Sequence, residues 1–211
     1  MDSKYFLPQD GGLILEGTPR DIIHRYEKIP TSIFSTESEG VEYVASLIVK
    51  AISTHNAADG KFFALGLATG RTPLGLYREL VKRYQAGEIS FKNVAVYSLD
   101  EFYPMCGTDH QSRNYRIHDQ FLKHIDILPE NVHIPDGTIS EQEVSEYCAA
   151  YDKSIRKIDL MIIGFGEEGQ VGFNEQGSYA KSHTRLVELS HNSRKINSSQ
   201  FFGLENTPKM A

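Results

Sequence analysis

The sequence predicts an α/β fold: a three-layer αβα arrangement around a mostly parallel, Rossmann-like sheet. Two short apolar runs, Phe62–Leu67 and Val94–Leu99, flank a helical pattern at Leu74–Gln85, which is the strand–helix–strand order of a parallel unit. A third run, Asp159–Gly164, repeats the strand signature and opens into a glycine-rich loop. Continuous apolar runs rather than alternating ones mark strands covered on both faces.

The elements follow in chain order. Residues 1–35, punctuated by Pro8, Gly11, Gly12, Pro19 and Pro30, read as an N-terminal extension, and residues 36–211 as the main domain. Thr36 and Glu39 have capping-box spacing, and Val41, Val44, Ala45, Ile48 and Val49 then recur on one helical face. Pro73 suits the first turn of the helix at Leu74–Gln85. A helix is expected over Arg113–His124, an irregular stretch over Ile125–Gly137, and a helix from the Ser140/Glu143 capping box to Ile155. Thr184–Leu189 is expected as a fourth strand and Lys195–Phe202 as a short helix. There is no internal repeat, low-complexity tract or linker.

Composition narrows the function. With 40% hydrophobic and 24% charged residues in 211, a core can form without metal or disulfide support, since a chain of this size buries roughly 70% of its unfolded surface. Acidic residues outnumber basic ones 28 to 22, a net charge of −6, which argues against a nucleic-acid partner but leaves room for a local anion site. Cys106 and Cys148 are too few for a disulfide framework. No apolar run approaches the roughly 18 residues of a membrane span, and the N-terminus lacks a secretory pattern. The expectation is a cytoplasmic protein with no membrane partner.

In open α/β sheets, ligands collect beyond the carboxyl ends of the strands, and three loops leave those ends. The first, Thr69-Gly70-Arg71-Thr72, reads either as an anion cradle at a helix N-terminus or as a plain tight turn. It is neither a Walker A loop nor a dinucleotide fingerprint. The second carries Asp100 and Glu101, either a general base tuned by its surroundings or a capping aspartate beside a solvated glutamate. The third, Gly164–Glu175, holds four glycines and three carboxylates, the composition of a backbone bent around a ligand or of a series of structural turns. Eight histidines give no His-x-x-x-His pair, His118 and His124 being six apart, so no metal site is expected. No Gly-x-Ser-x-Gly elbow is present.

Jointly, these segments resemble the glucosamine-6-phosphate deaminase (isomerase) family. The resemblance runs from Val41 to the C-terminus through Leu67–Gly75, Gln85–Phe91, Ser98–Tyr103, His124–Ile127, Gly164–Glu175 and Ser182–Leu186. It implies conversion of glucosamine 6-phosphate and water to fructose 6-phosphate and ammonia, with no cofactor. By that resemblance Asp100 is the proton-shuttling aspartate, Thr69 contacts phosphate, and Glu175 supports ring opening. Gly70, Arg71 and Thr72 complete the phosphate loop, and Glu168 and Gln170 stand on the sugar side.

Five departures qualify the resemblance. The family's ring-opening Asp-Gly-His stretch is Glu168-Gly169-Gln170 here, and glutamine cannot exchange a proton near neutral pH. Arg71 replaces a usual glycine, and Gln200 replaces a phosphate-binding arginine before Phe201-Phe202. Arg71 either restores that lost cation, being suited to bidentate phosphate recognition, or obstructs the sugar. Of the allosteric residues, Ser178 and Arg185 match while Val187 replaces a lysine. The family's pattern also continues past Ala211 with more sheet, a helix and a substrate-binding lysine, so the domain is expected to be incomplete at its C-terminal end. The resemblance leaves room for a homo-oligomer and a further C-terminal domain.

Three functions therefore stand: an amino-sugar-phosphate deaminase, a catalytically silent sugar-phosphate-binding domain, and a 6-phosphogluconolactonase-type hydrolase. Phe173-Asn174-Glu175 fits the first pattern better than the last.

Overall fold

The computed structural model describes residues 31–55, 61–155 and 157–211. The expected N-terminal extension lies outside the described residues except for its last five. Four parallel strands form the sheet: β1 (Phe63–Leu67), β2 (Val94–Ser98), β3 (Val132–His133) and β4 (Leu160–Met161), in the order β3-β2-β1-β4. All five residues of β1 are buried, as its uninterrupted apolar sequence requires.

Helix α1 (Glu37–Thr54) begins at Thr36, whose hydroxyl accepts the Glu39 N–H at 3.3 Å. The Glu39 carboxylate reaches one residue further back than a standard box and accepts from Ser35 N–H. Helix α2 (Leu74–Gln85) matches its expected bounds. It ends in a Schellman motif: Gly87 is left-handed at φ +75°, Gly87 N–H donates to Tyr84 and Glu88 N–H to Arg83. Helices α3 (Arg113–Gln120), α4 (Val144–Ser154) and α5 (His191–Asn197) complete the set.

Successive strands β1, β2 and β3 step in one direction across the sheet, and the β3–α4–β4 connection returns over both to the far side of β1. Because such crossovers are right-handed, that reversal places α4 on the face opposite α2. The point of reversal lies between β1 and β4, where open α/β sheets gather ligands.

The main core joins Ala45 and Ile48 of α1, Tyr77 and Leu80 of α2, and the strand side chains, with Tyr77 stacked on Phe121 at 5.0 Å between ring centroids. A second, smaller cluster of Phe102, Met105, Phe173, Leu189 and Phe201 sits apart from it. It draws on segments that follow β2 and β4, and it supports the site described below.

The structure corrects several expectations. The third strand is two residues long and half-buried, and Ile163 is exposed. Among the described residues β4 pairs only with β1, extended by Asp159 N–H to Ala64 and Ile162 N–H to Gly66. The expected strand Thr184–Leu189 does not enter the sheet. Val187 and Ala211 exchange hydrogen bonds instead, and Leu189 N–H donates to the Lys209 carbonyl. Helix α3 stops at Gln120, because Phe121 leaves helical geometry at φ −142°, and a 3₁₀ turn covers Leu122–His124. Ser140 spends its hydroxyl on the Glu143 carboxylate rather than on a free N–H, and α4 starts only at Val144. Helix α5 begins at His191, capped by Ser190 accepting from Ser193 N–H, and a 3₁₀ turn follows over Ser198–Gln200. Strand β3, inside the stretch expected to be irregular, is too short to show a period.

Gly66 marks the tightest contact in the sheet. A Cβ there would lie 1.8 Å from Met161 Sδ. Gly66→Ala is therefore expected to lower unfolding free energy by about 1–3 kcal/mol in urea denaturation. Adding Met161→Ala removes the clashing sulfur and should make the second step smaller than Met161→Ala alone. Simple additivity of the two losses would count against this packing account.

Candidate active site

Strand β2 ends at Ser98, and the chain turns outward through Leu99 to Asp100. The Asp100 side chain is 14% exposed, with Oδ1 3.6 Å from Arg113 Nε. The glycine-rich loop closes over it: a Cβ on Gly172, which is left-handed at φ +57°, would lie 2.7 Å from Asp100 Oδ2. Only glycine permits both that conformation and that approach. Burial pushes the Asp100 carboxyl above the usual carboxylate range; the Arg113 guanidinium opposes this, the neighbouring Glu101 charge adds to it, and the Phe173 N–H opposes it.

Glu101 has the opposite environment from the one expected of a solvated glutamate. It is 5% exposed and accepts four hydrogen bonds. Phe102 N–H (2.8 Å) and Arg113 N–H (3.0 Å) donate to Oε1, while Ser112 Oγ–H (2.7 Å) and Asn114 N–H (3.0 Å) donate to Oε2. Its carboxylate thus meets the free N–H groups at the start of α3, where negative charge is favoured. Both oxygens are committed to the fold. Of the two adjacent acids, Asp100 is the one left for chemistry.

Arg113 itself carries no sequence signal beyond its place after the Ser112 cap. Its guanidinium carbon lies 4.6 Å from the Phe102 ring centroid and 5.1 Å from that of Phe173, and Nη2 donates to Asn197 Oδ1 at 3.4 Å. Gln200 Nε2 donates to the same oxygen at 3.2 Å. The cation sharing a partner with Gln200 is therefore Arg113.

A cavity of about 260 Å³ opens beside Asp100. Its walls include Phe173 and Asn174 from the glycine-rich loop, Tyr147 and Asp152 from α4, and the segment 182–187. That segment is pinned to α4: Asp152 accepts from Thr184 N–H at 2.9 Å and pairs with His183 Nδ1 at 2.6 Å. Desolvation raises the Asp152 carboxyl, but hydrogen bonds from Thr184 and His183 outweigh it and hold the group below its ordinary value. Asp152 carries no sequence signal and His183 none beyond its place in the Ser182–Leu186 stretch, because their pairing spans 31 residues.

The other expected residues lie elsewhere. Thr69 and Gly70 are half-buried, and Arg71 and Thr72 exposed, in the loop between β1 and α2. They do not line the cavity at Asp100, but their loop leaves the β1 end of the β1/β4 crevice, and the loop carrying Glu168 and Gln170 leaves the β4 end. Gln170 is folded onto its own turn: its side-chain oxygen accepts Glu168 N–H at 3.0 Å, and its carbonyl accepts Gly166 N–H at 2.7 Å. The Glu168 side chain is exposed. Glu175 accepts Ser190 N–H at 3.1 Å, tying the loop to the start of α5. Among the described residues no three His, Cys, Asp or Glu side chains gather as a metal site. No described helix is long and apolar enough to cross a membrane.

Residues 35–199 match the family described as glucosamine-6-phosphate isomerases/6-phosphogluconolactonase. A glucosamine-6-phosphate deaminase-like protein of Bacteroides thetaiotaomicron is 36% identical over 208 residues, which is 97% of this chain and 30% of that protein. A glucosamine-6-phosphate isomerase of Candida albicans is 40% identical over 185 residues, covering 85% of this chain and 72% of that one. Among solved structures, a monomeric glucosamine-6-phosphate deaminase superposes with a TM-score of 0.77 at 31% identity, over 84% of this chain and 72% of that one. The chain thus spans less than a third of the Bacteroides relative.

Proposed function

The chain belongs to the family of glucosamine-6-phosphate isomerases and 6-phosphogluconolactonases, and on that premise we propose that it is a deaminating isomerase of an amino-sugar phosphate. The reaction takes glucosamine 6-phosphate and water to fructose 6-phosphate and ammonia. The observation that carries this reading is Asp100, a nearly buried carboxyl beside a cavity, with its neighbour Glu101 fully engaged by backbone and Ser112 donors. A desolvated carboxyl with a free acceptor is suited to carry a proton between C2 and C1 of the open sugar.

The phosphate is assigned to Thr69, Gly70, Arg71 and Thr72, at the N-terminus of α2, where backbone N–H groups and the helix dipole favour an anion. Glu168, Gln170 and Glu175 are assigned to the sugar side across the β1/β4 crevice. No cofactor enters this chemistry. The setting proposed is cytoplasmic carbohydrate metabolism, with a small-molecule partner.

A second reading, a silent sugar-phosphate-binding domain, is favoured by one observation: the Gln170 amide is turned onto Glu168 N–H and offers no titratable group. Measuring ammonia and fructose 6-phosphate released from glucosamine 6-phosphate separates the two. The expected result is slow turnover that Gln170→His accelerates, because a positioned acid/base contributes about 10²–10⁴ in rate. Thermal stabilisation by glucosamine 6-phosphate without product, in both proteins, would establish the silent domain instead. Neither turnover nor stabilisation would sink both readings.

A further inference from the structure

Arg113 is a buried cation with few places for its charge to go. Its side chain is 8% exposed, and the rings of Phe102 and Phe173 flank the guanidinium. Nη2 has a neutral partner in Asn197, while the buried Nε–H has no hydrogen-bond partner. The anion paired with it is Asp100, at a distance that gives charge attraction without a hydrogen bond. While ionised, Asp100 is the anion that offsets this buried cation, an attraction that opposes the cost of burying the carboxylate without cancelling it.

We propose that Arg113 is a positioning residue that keeps Asp100 a carboxylate beside the cavity, and that Glu101 holds Arg113 in place for it. The chain of contacts is short. Glu101 accepts the backbone N–H of Arg113 and fixes the first turn of α3. The side chain then returns over Phe102 to the carboxylate preceding Glu101. Two adjacent acids thereby divide their work. One anchors the cation, and the other is kept charged by it.

The groups facing Asp100 make the assignment specific. Glu101 on its own loop opposes ionisation, Arg113 on α3 favours it, and Tyr151 on α4 interacts with it electrostatically. Around the cavity stand Asp136, Asp152, His183 and Arg185. Arg113 is the cation within ion-pair distance.

This inference rests on the proposed role of Asp100 as a base, but its test needs no turnover. The side-chain ¹³Cγ resonance of Asp100, assigned by its loss in Asp100→Asn, is followed from acid to neutral pH in the intact protein. Arg113→Gln is expected to move the midpoint upward by about one to three pH units, the effect of losing an opposite charge at this range. Arg113→Lys, which restores charge without the planar stacking, recovers part of the shift. An unmoved midpoint in folded Arg113→Gln overturns the proposal.

If that variant does not fold, Arg113→Met, which keeps an apolar side chain against the two rings, takes the same reading. If neither folds, Arg113 is a structural tie and the proposal fails. A shifted midpoint in a protein that releases no ammonia counts against the deaminase reading while leaving the ion pair standing. An unmoved midpoint in an active enzyme does the reverse.

Discussion

Asp100→Asn is expected to lower kcat for glucosamine 6-phosphate deamination by about 10²–10⁴, the contribution of a positioned proton carrier, with little change in the affinity for fructose 6-phosphate. The amide keeps the shape of the carboxyl and loses its proton affinity. Its effect on stability runs the other way. The folded state holds the Asp100 carboxyl above its ordinary range, chiefly through burial. A carboxyl raised in this way favours the fold when protonated, and that contribution is lost as pH rises through the folded-state value. Asparagine resembles the protonated form at every pH. Urea denaturation at pH 7 should therefore find Asp100→Asn at least as stable as the parent protein, the trade expected where a site is strained for activity. Full activity in this variant, measured as ammonia release, would remove Asp100 from the chemistry.

The largest loss of stability is expected at the adjacent residue. Glu101→Ala deletes the acceptor for Phe102 N–H, Ser112 Oγ–H, Arg113 N–H and Asn114 N–H in one step. Each buried donor left unsatisfied costs about 1–3 kcal/mol, so a total of about 2–6 kcal/mol follows even if water reaches half of them. Glu101→Gln is milder. Its carbonyl keeps one pair of donors, and Ser112 can rotate to accept from the new amide, which leaves Asn114 N–H as the principal orphan. About 2 kcal/mol is expected for that loss together with the charge at the helix N-terminus. Equilibrium urea unfolding should rank the parent above Gln and Gln above Ala. An alanine variant within about 0.5 kcal/mol of the parent, the range of an ordinary surface change, would contradict the clamp.

These two residues show where sequence reasoning stops. Adjacent acids at a strand end have the same local neighbourhood, and nothing in Ser98–Tyr103 says which is buried. The donors that capture Glu101 come from residues 112–114, and the ring that packs against Phe102 comes from Phe173, 4.9 Å away between centroids. Gly172 was visible as one glycine among several, yet its need for a positive φ is set by the approach to Asp100 and Leu99. The segment 184–189 carries strand-forming residues, but its partners are residues 209–211 and not the sheet, a pairing that propensity alone does not specify.

What the sequence determined by itself is the local grammar of the fold. The runs at Phe62–Leu67 and Val94–Leu99, the Thr36 cap, and a helix from Leu74 to Gln85 opened by Pro73 all depend on residues within a turn or two of each other. Those contacts cost little chain entropy, and their residue preferences are strong. They fix a parallel α/β sheet and place three loops at its strand ends. The tertiary structure decided the electrostatics at one of those ends: Glu101 became a helix clamp and Asp100 a buried partner of Arg113. That division depends on desolvation and on donors brought from distant segments, and both exist only after the chain has closed around them.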